Sequence, residues 1–121
     1  MDIGQLENAV SVESIRQIGR NGSNLLYLES ADNYVCIWYL NKGQLTKFML
    51  RNSLKAIEES LADTNVLRCH RSFMVNFDQV KVIRREKEGV YLELGIEKVP
   101  DIPISKTYSE KVTRWFQTYS S

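Results

Sequence analysis

From residue 25 onward the chain sets short apolar runs between polar, turn-forming stretches, at strand rather than helix spacing. LLYLES (25–30) and YVCIWYL (34–40) are rich in β-branched and aromatic residues, with ADN as a turn between them. NKG at 41–43 is a hairpin signal, because Asn and Gly accept the positive φ of a tight turn, and QLTKFML (44–50) is the return strand. VLRCH (66–70), FMVN (73–76), VKVIRR (80–85), GVYLEL (89–94) and a short EKVP (97–100) follow as further strands. Pro100 and Pro103 interrupt the ladder there, which suits an edge or a loop.

Two stretches switch to helical spacing. SLKAIEESL (53–61) places Leu54, Ile57 and Leu61 on one face, with Ser53 as the cap. SKTYSEKVTRWFQTY (105–119) carries a stripe of Tyr108, Val112, Trp115 and Phe116 that predicts a helix packed on the sheet. Near the start, Leu6, Val10, Ile15 and Ile18 also recur at helical spacing until NGS (21–23) stops the pattern. The expected organisation is an N-terminal helical or linker segment over 1–22 and one domain over 23–119, with no internal repeat. Short turns between successive strands imply antiparallel pairing. The class is mainly β, with small antiparallel sheets and short peripheral helices.

Composition changes this picture little. At 121 residues, 43% hydrophobic and 26% charged, the chain suits one soluble domain. No apolar run approaches the roughly 18 residues that cross a membrane, and the first residues lack the apolar core of a secretory signal, so the expected location is the cytoplasm. Cys36 and Cys69 fall in strand-like apolar runs and read as reduced, buried thiols. A net charge of +1 neither announces nor excludes a nucleic-acid partner, so the placement of the charges decides.

Candidate chemistry centres on LRCHRSFMVN (67–76), which holds His70, the one histidine of the sequence. Cys69 and His70 tempt a thiol–imidazole pair, but neighbours on a strand point to opposite faces. A structural zinc wants four Cys or His ligands, and the chain offers three. GRNGS (19–23) lacks the Lys-Ser/Thr of a phosphate loop. Neither enzyme chemistry, a metal nor a cofactor is therefore expected.

The basic residues say more. Arg68, His70 and Arg71 lie across a short connection from Lys81, Arg84, Arg85 and Lys87. If VLRCH and VKVIRR are neighbours, these groups form a basic face that Lys106 and Lys111 extend, while Glu58, Glu59 and Asp63 sit apart on the middle helix. Alternation turns Leu67 and Cys69 inward and Arg68 and His70 outward, and Arg71-Ser72 breaks the pattern before Phe73 and Val75 return to the core. An Arg-Ser step at a strand break offers a forked donor and a hydroxyl to an anion or a guanine edge. For His70 two readings stand: donor to a phosphate, or structural brace of the loop. For the charges as a group, the competing reading is a solvated sheet face.

These residues resemble the LytTR DNA-binding domain of bacterial response regulators. The likeness rests on LLYLESADNYVCI (25–37), LKAIEESL (54–61), LRCHRSFMVNFDQVKVI (67–83) and PISKTYSEKV (103–112), in order and with the family's spacing. It implies an elongated β fold whose loops, rather than a recognition helix, enter the major groove. Carried onto this chain, it implies base readout by Asn33 or Tyr34, Arg71 and Lys106. Backbone contacts fall to Arg68, His70 and Ser72, to which Arg85 is added, and Phe73, Val75 and Asn76 become structural.

Three departures bear on the site. The family's final helix commonly begins Ser-Arg, whereas Ser105-Lys106 stands here, and a Lys point charge cannot make the planar fork. VPDIP (99–103) is longer than usual, and NGSN stands where a leading strand is expected. That leaves the edge of the first sheet either unpaired or filled by residues 11–20. The expected function is sequence-specific double-stranded DNA binding, as the output domain of a two-component transcription regulator. Its partners would be DNA, a second copy on repeated half-sites and a receiver or other regulatory partner, with no membrane. The alternative is a protein-interaction module of the same fold that recruits a partner through its exposed first edge.

Overall fold

The computed structural model describes residues 13, 15 and 25–119. Among these residues, eight strands form two sheets, and every pair is antiparallel. The first sheet holds β1 (Leu25–Ala31), β2 (Tyr34–Asn41), β3 (Gln44–Leu50), β4 (Val66–His70) and β5 (Phe73–Asn76), in the order β3-β2-β1-β5-β4. The second holds β6 (Val82–Glu86), β7 (Gly89–Glu93) and β8 (Ile102–Ile104) in that order. Helix α1 (Leu54–Ser60) links β3 to β4, and helix α2 (Lys106–Tyr119) ends the described chain. A single 3-10 turn (Phe77–Gln79) comes directly after β5.

The first sheet is buried on both faces. One face meets α1 through Leu25, Leu28, Ile37, Met74, Ile57 and Leu61. The other meets the second sheet and α2 through Leu26, Tyr27, Val75, Leu92, Ile102 and Val112. This explains the unbroken run LLYL at the start of β1: a central strand covered on both sides needs apolar residues at every position. A register shift between Leu25 and Tyr27 sends both Leu26 and Tyr27 to the second core. The stripe read on the final helix is the contact it makes, with Val112 buried and Phe77, Trp115 and Phe116 forming an aromatic cluster at 5.0–5.6 Å between ring centroids. Ser53 caps α1, its Oγ accepting from the Ala56 N–H at 3.2 Å.

Several expectations need correction. EKVP forms a turn with Lys98 at φ 72°, and the strand falls instead on Ile102–Ile104. Pro103 is tolerated there because β8 is an edge strand and its missing N–H costs no ladder bond on the paired side. At the NKG hairpin, Asn41 closes β2, and Lys42 (φ 52°) and Gly43 (φ 80°) take the left-handed conformation. Strands β4 and β6 belong to different sheets and are not neighbours, so the basic face expected from their proximity in sequence does not form as drawn. Nor does β1 have an open edge: it pairs with β2 on one side and β5 on the other. Leu6, Val10 and Ile18 lie outside the described residues. Glu13 and Ile15 are helical, and Ile15 is fully buried in the α1-side core.

Asn76 is the buried polar hinge between the first sheet and the 3-10 turn, 1% exposed. Its Nδ2 donates to the Leu25 carbonyl at 2.9 Å and its Oδ1 accepts from the Asp78 N–H at 3.1 Å, so one amide ties β1 to β5 and starts the 3-10 turn. Asn76→Ala leaves the buried Leu25 carbonyl and the part-buried Asp78 N–H without these partners, and urea denaturation should show a loss of about 1–3 kcal/mol. A change under about 0.5 kcal/mol would mean that water or another group replaces the amide.

Candidate nucleic-acid interface

One end of the first sheet gathers the turns that carry the candidate residues. Ala31 pairs with Tyr34 and His70 with Phe73, so the 32–33 and 71–72 turns project from the same end. Pairing of Glu29 with Phe73 makes them neighbours, and the Ser30 N–H donates to the Ser72 carbonyl at 2.9 Å to lock one turn against the other. The entry to α2 joins them, because the Ser105 N–H donates to the Cys69 carbonyl at 2.9 Å. Asn33, Tyr34, Arg71 and Lys106 are thereby presented together, all exposed, Tyr34 at 43%. Asp32 takes φ 56° at the apex of the first turn, a conformation Asp adopts more readily than most residues.

Two side chains shape the 70–72 turn. A register shift between Arg68 and His70 breaks the simple alternation of β4, and Arg68 folds back over the turn. Its Nε donates to the His70 carbonyl at 3.0 Å, one terminal nitrogen to the Arg71 carbonyl at 2.6 Å, and the other to Glu58 Oε1 at 3.1 Å. The guanidinium also lies 5.6 Å from the Tyr108 ring centroid, and the side chain is 11% exposed. Arg68 thus joins α1, the turn and α2. Expected as a phosphate contact, it is engaged inside the fold.

His70 faces the other way round the same turn. Its Nδ1 accepts from the Ser72 N–H at 3.1 Å, which requires a lone pair there and puts the proton of the neutral ring on Nε2. The ring packs edge-on against Phe73 at 5.6 Å. Nδ1 therefore braces the turn, and Nε2–H is left as a donor. Cys69 points into the core, where burial pushes its thiol up to about 12, and its Sγ lies 3.8 Å from the Phe73 carbonyl rather than beside the imidazole.

Carboxylates sort the remaining cations. Arg84, expected to join the basic face, is held by Glu86, Glu93 and Asp101 at 2.6–2.8 Å, which raises its pKa further and cancels its charge locally. Lys111 leans on Glu58 at 3.4 Å, and Arg114 on Glu110 at 2.6 Å. Arg71, Arg85 and Lys106 are exposed and, among the described residues, have no carboxylate within ion-pair distance. Arg85 lies apart from the turns, with Ile83, Val90, Ile104, Val112 and Phe116 around a groove of about 370 Å³ between the second sheet and α2.

Glu58 and Tyr108 were missed as positioning residues. Nothing in the sequence marks Glu58, which reads as one acid on the solvated face of a short helix. Only the packing of α1 beside β4 and α2 brings it to Arg68 and Lys111.

This arrangement defines a β module that presents loops from one sheet end, with cations that have no carboxylate partner among the described residues. The model of the LytTr DNA-binding domain matches residues 10–117, and the chain belongs to that family, which binds DNA and is not an enzyme family. It is 29% identical over 112 residues to the Sensory transduction protein LytT of Bacillus subtilis (strain 168), a match covering 92% of this chain and 44% of that protein. The chain thus spans less than half the length of that curated relative. Among solved structures, the LytTr DNA-binding domain of a methyl-accepting/DNA response regulator from Bacillus cereus shares the fold, with a TM-score of 0.56 and 24% identity over 74% of this chain and 78% of that one.

The bracing contact of His70 can be separated from its Nε2–H by substitution. Asn at position 70 can supply an acceptor near Nδ1 without the outward donor, whereas Ala supplies neither. Amide exchange at Ser72 should stay slow in His70→Asn and accelerate at least several-fold in His70→Ala. Equal exchange in the wild type and His70→Ala would show that the imidazole does not hold the turn.

Proposed function

We propose that the chain binds double-stranded DNA sequence-specifically, as the cytoplasmic output domain of a bacterial two-component transcription regulator. The observation that carries this reading is the exposed set Asn33, Tyr34, Arg71 and Lys106 on one sheet end, its cations free of carboxylates among the described residues, in a domain of a DNA-binding family. A two-stranded turn is narrow enough to enter the major groove, which is about 12 Å wide. Arg71 then offers its fork to guanine O6 and N7, and Asn33 its amide to adenine. Lys106 supplies a point charge with less geometric demand than an Arg would, so base preference at its position is the weaker one. Tyr34 brings an aromatic face beside them.

Phosphate contacts fall to the outward Nε2–H of His70, the Ser72 hydroxyl and Arg85. Arg68 is reassigned: it acts through the turn, by holding the carbonyls of His70 and Arg71, rather than on a phosphate. Because the chain is shorter than half of its curated relative, the rest of such a regulator would supply a receiver, and two copies would occupy repeated half-sites. The alternative of a strand-recruiting module cannot use β1, which is paired on both sides, and would need an outer strand of the first sheet, β3 or β4.

Selection of this protein from a pool of random duplexes at two salt concentrations tests the reading. A short motif should be enriched, and log K should fall with log[salt] by about 0.9 for each phosphate neutralised. Arg71→Ala should cost about 1–3 kcal/mol on the enriched site and relax preference at one base pair. Salt-insensitive association, or no enrichment at either salt, would remove the proposed function.

A further inference from the structure

We infer that Arg51 is a phosphate contact that extends the DNA footprint beyond the residues the family resemblance assigns; the inference rests on the DNA-binding reading above. Arg51 comes directly after Leu50, the last residue of β3, and Leu50 pairs with Val35 beside Tyr34. It therefore stands at the same sheet end as the 32–33 and 71–72 turns, on the far side of the first from Arg71. The order across that end is Arg51, the Asn33–Tyr34 turn, the Arg71–Ser72 turn and then the start of α2.

Two features together mark Arg51. Arg68, Arg84 and Arg114 each hold a carboxylate at 2.6–3.1 Å, whereas Arg51, like Arg71 and Arg85, is exposed, and it makes no ion pair, side-chain hydrogen bond or ring contact with the described residues. Its backbone, by contrast, is well held. Leu50 and Leu54 on either side are buried, Asn52 Oδ1 accepts from the Ser53 N–H at 2.8 Å, and Ser53 caps α1. A long cationic side chain without a partner on a pinned three-residue connection is presented to solvent, not engaged by the fold.

Length sets its role. From β3 to β4 are four inter-strand steps of about 4.8 Å, roughly 19 Å, before α2 adds more. A row of that length outruns a groove about 12 Å wide, so its positions cannot all reach base edges in one groove. DNA carries about one charge per 1.7 Å along its axis, so a flanking cation at the end of the row meets the backbone. Phosphate needs charge rather than the planar fork, which separates Arg51 from Arg71.

The test uses the whole chain on a pool of random duplexes of about 30 base pairs, with affinity measured from about 50 to 200 mM salt. Arg51→Ala should weaken binding several-fold on all duplexes alike, lower the salt slope by about 1 and leave the enriched motif and the melting temperature unchanged. Arg51→Lys should restore the slope. Wild-type binding with an unaltered slope and affinity in Arg51→Ala would overturn the inference and leave the DNA-binding reading standing. A changed motif would overturn the phosphate assignment in favour of base readout. A lower melting temperature in both variants would make Arg51 structural and overturn it as well. Absence of wild-type binding would remove both the inference and the reading beneath it.

Discussion

Coverage of the first sheet on both faces is the constraint on which the rest of the structure depends. With α1 on one side and the second sheet and α2 on the other, the central strands β1 and β5 have no open face to offer a partner. The two helices are held by their own apolar stripes, Leu54 and Ile57 on α1 and Val112, Trp115 and Phe116 on α2. The candidate residues lie instead where strands end, joined by Lys106 at the first position of α2. Antiparallel pairing places the last residue of one strand beside the first of the next, and so brings residues 31–34, 50–51 and 70–73 to one end without any dedicated scaffold.

Carboxylates narrow the set of cations open to an anion. The sequence carries 16 basic and 15 acidic residues, and net charge therefore says nothing about where a DNA backbone could sit. Glu58 takes Arg68 and Lys111, and Glu86, Glu93 and Asp101 together take Arg84, while Lys81, Arg85 and Lys87 on and beside the second sheet stay exposed without a carboxylate among the described residues. These pairs are partly exposed, apart from Arg68, so their contribution to stability is small. Arg68 converts its pairing into position, since the guanidinium that meets Glu58 also holds the two carbonyls flanking the site of Arg71.

Much of this was legible in residue order, and the failures share a cause. Strand runs, the capped helix at Ser53 and the aromatic stripe at 108–116 are local patterns, and each is where it reads. EKVP misled because nothing local shows that Lys98 turns the chain at φ 72°, which moves the strand on to Ile102–Ile104. The supposed basic face misled because closeness in sequence was taken for closeness in sheet, although β4 and β6 lie in different sheets. The partners of Arg68 and Arg84 were not readable at all: Glu58 is ten residues from Arg68 and Asp101 seventeen from Arg84, and only the packed fold brings them together. Arg51 was passed over for the converse reason, as a lone cation after a strand carries no motif.

On the proposed reading, the 32–33 and 71–72 turns and the start of α2, joined by the Ser30–Ser72 and Cys69–Ser105 backbone bonds, act with Arg51 as a single DNA-contacting edge. Amide chemical-shift mapping of the labelled protein with a selected duplex tests it most directly. The largest changes should fall at 31–34, 50–52, 70–72 and 105–107, with the 42–43 hairpin at the opposite end of the sheet silent. Changes centred on the 42–43 hairpin, or on the 87–88 turn of the second sheet with 70–72 unaffected, would contradict it.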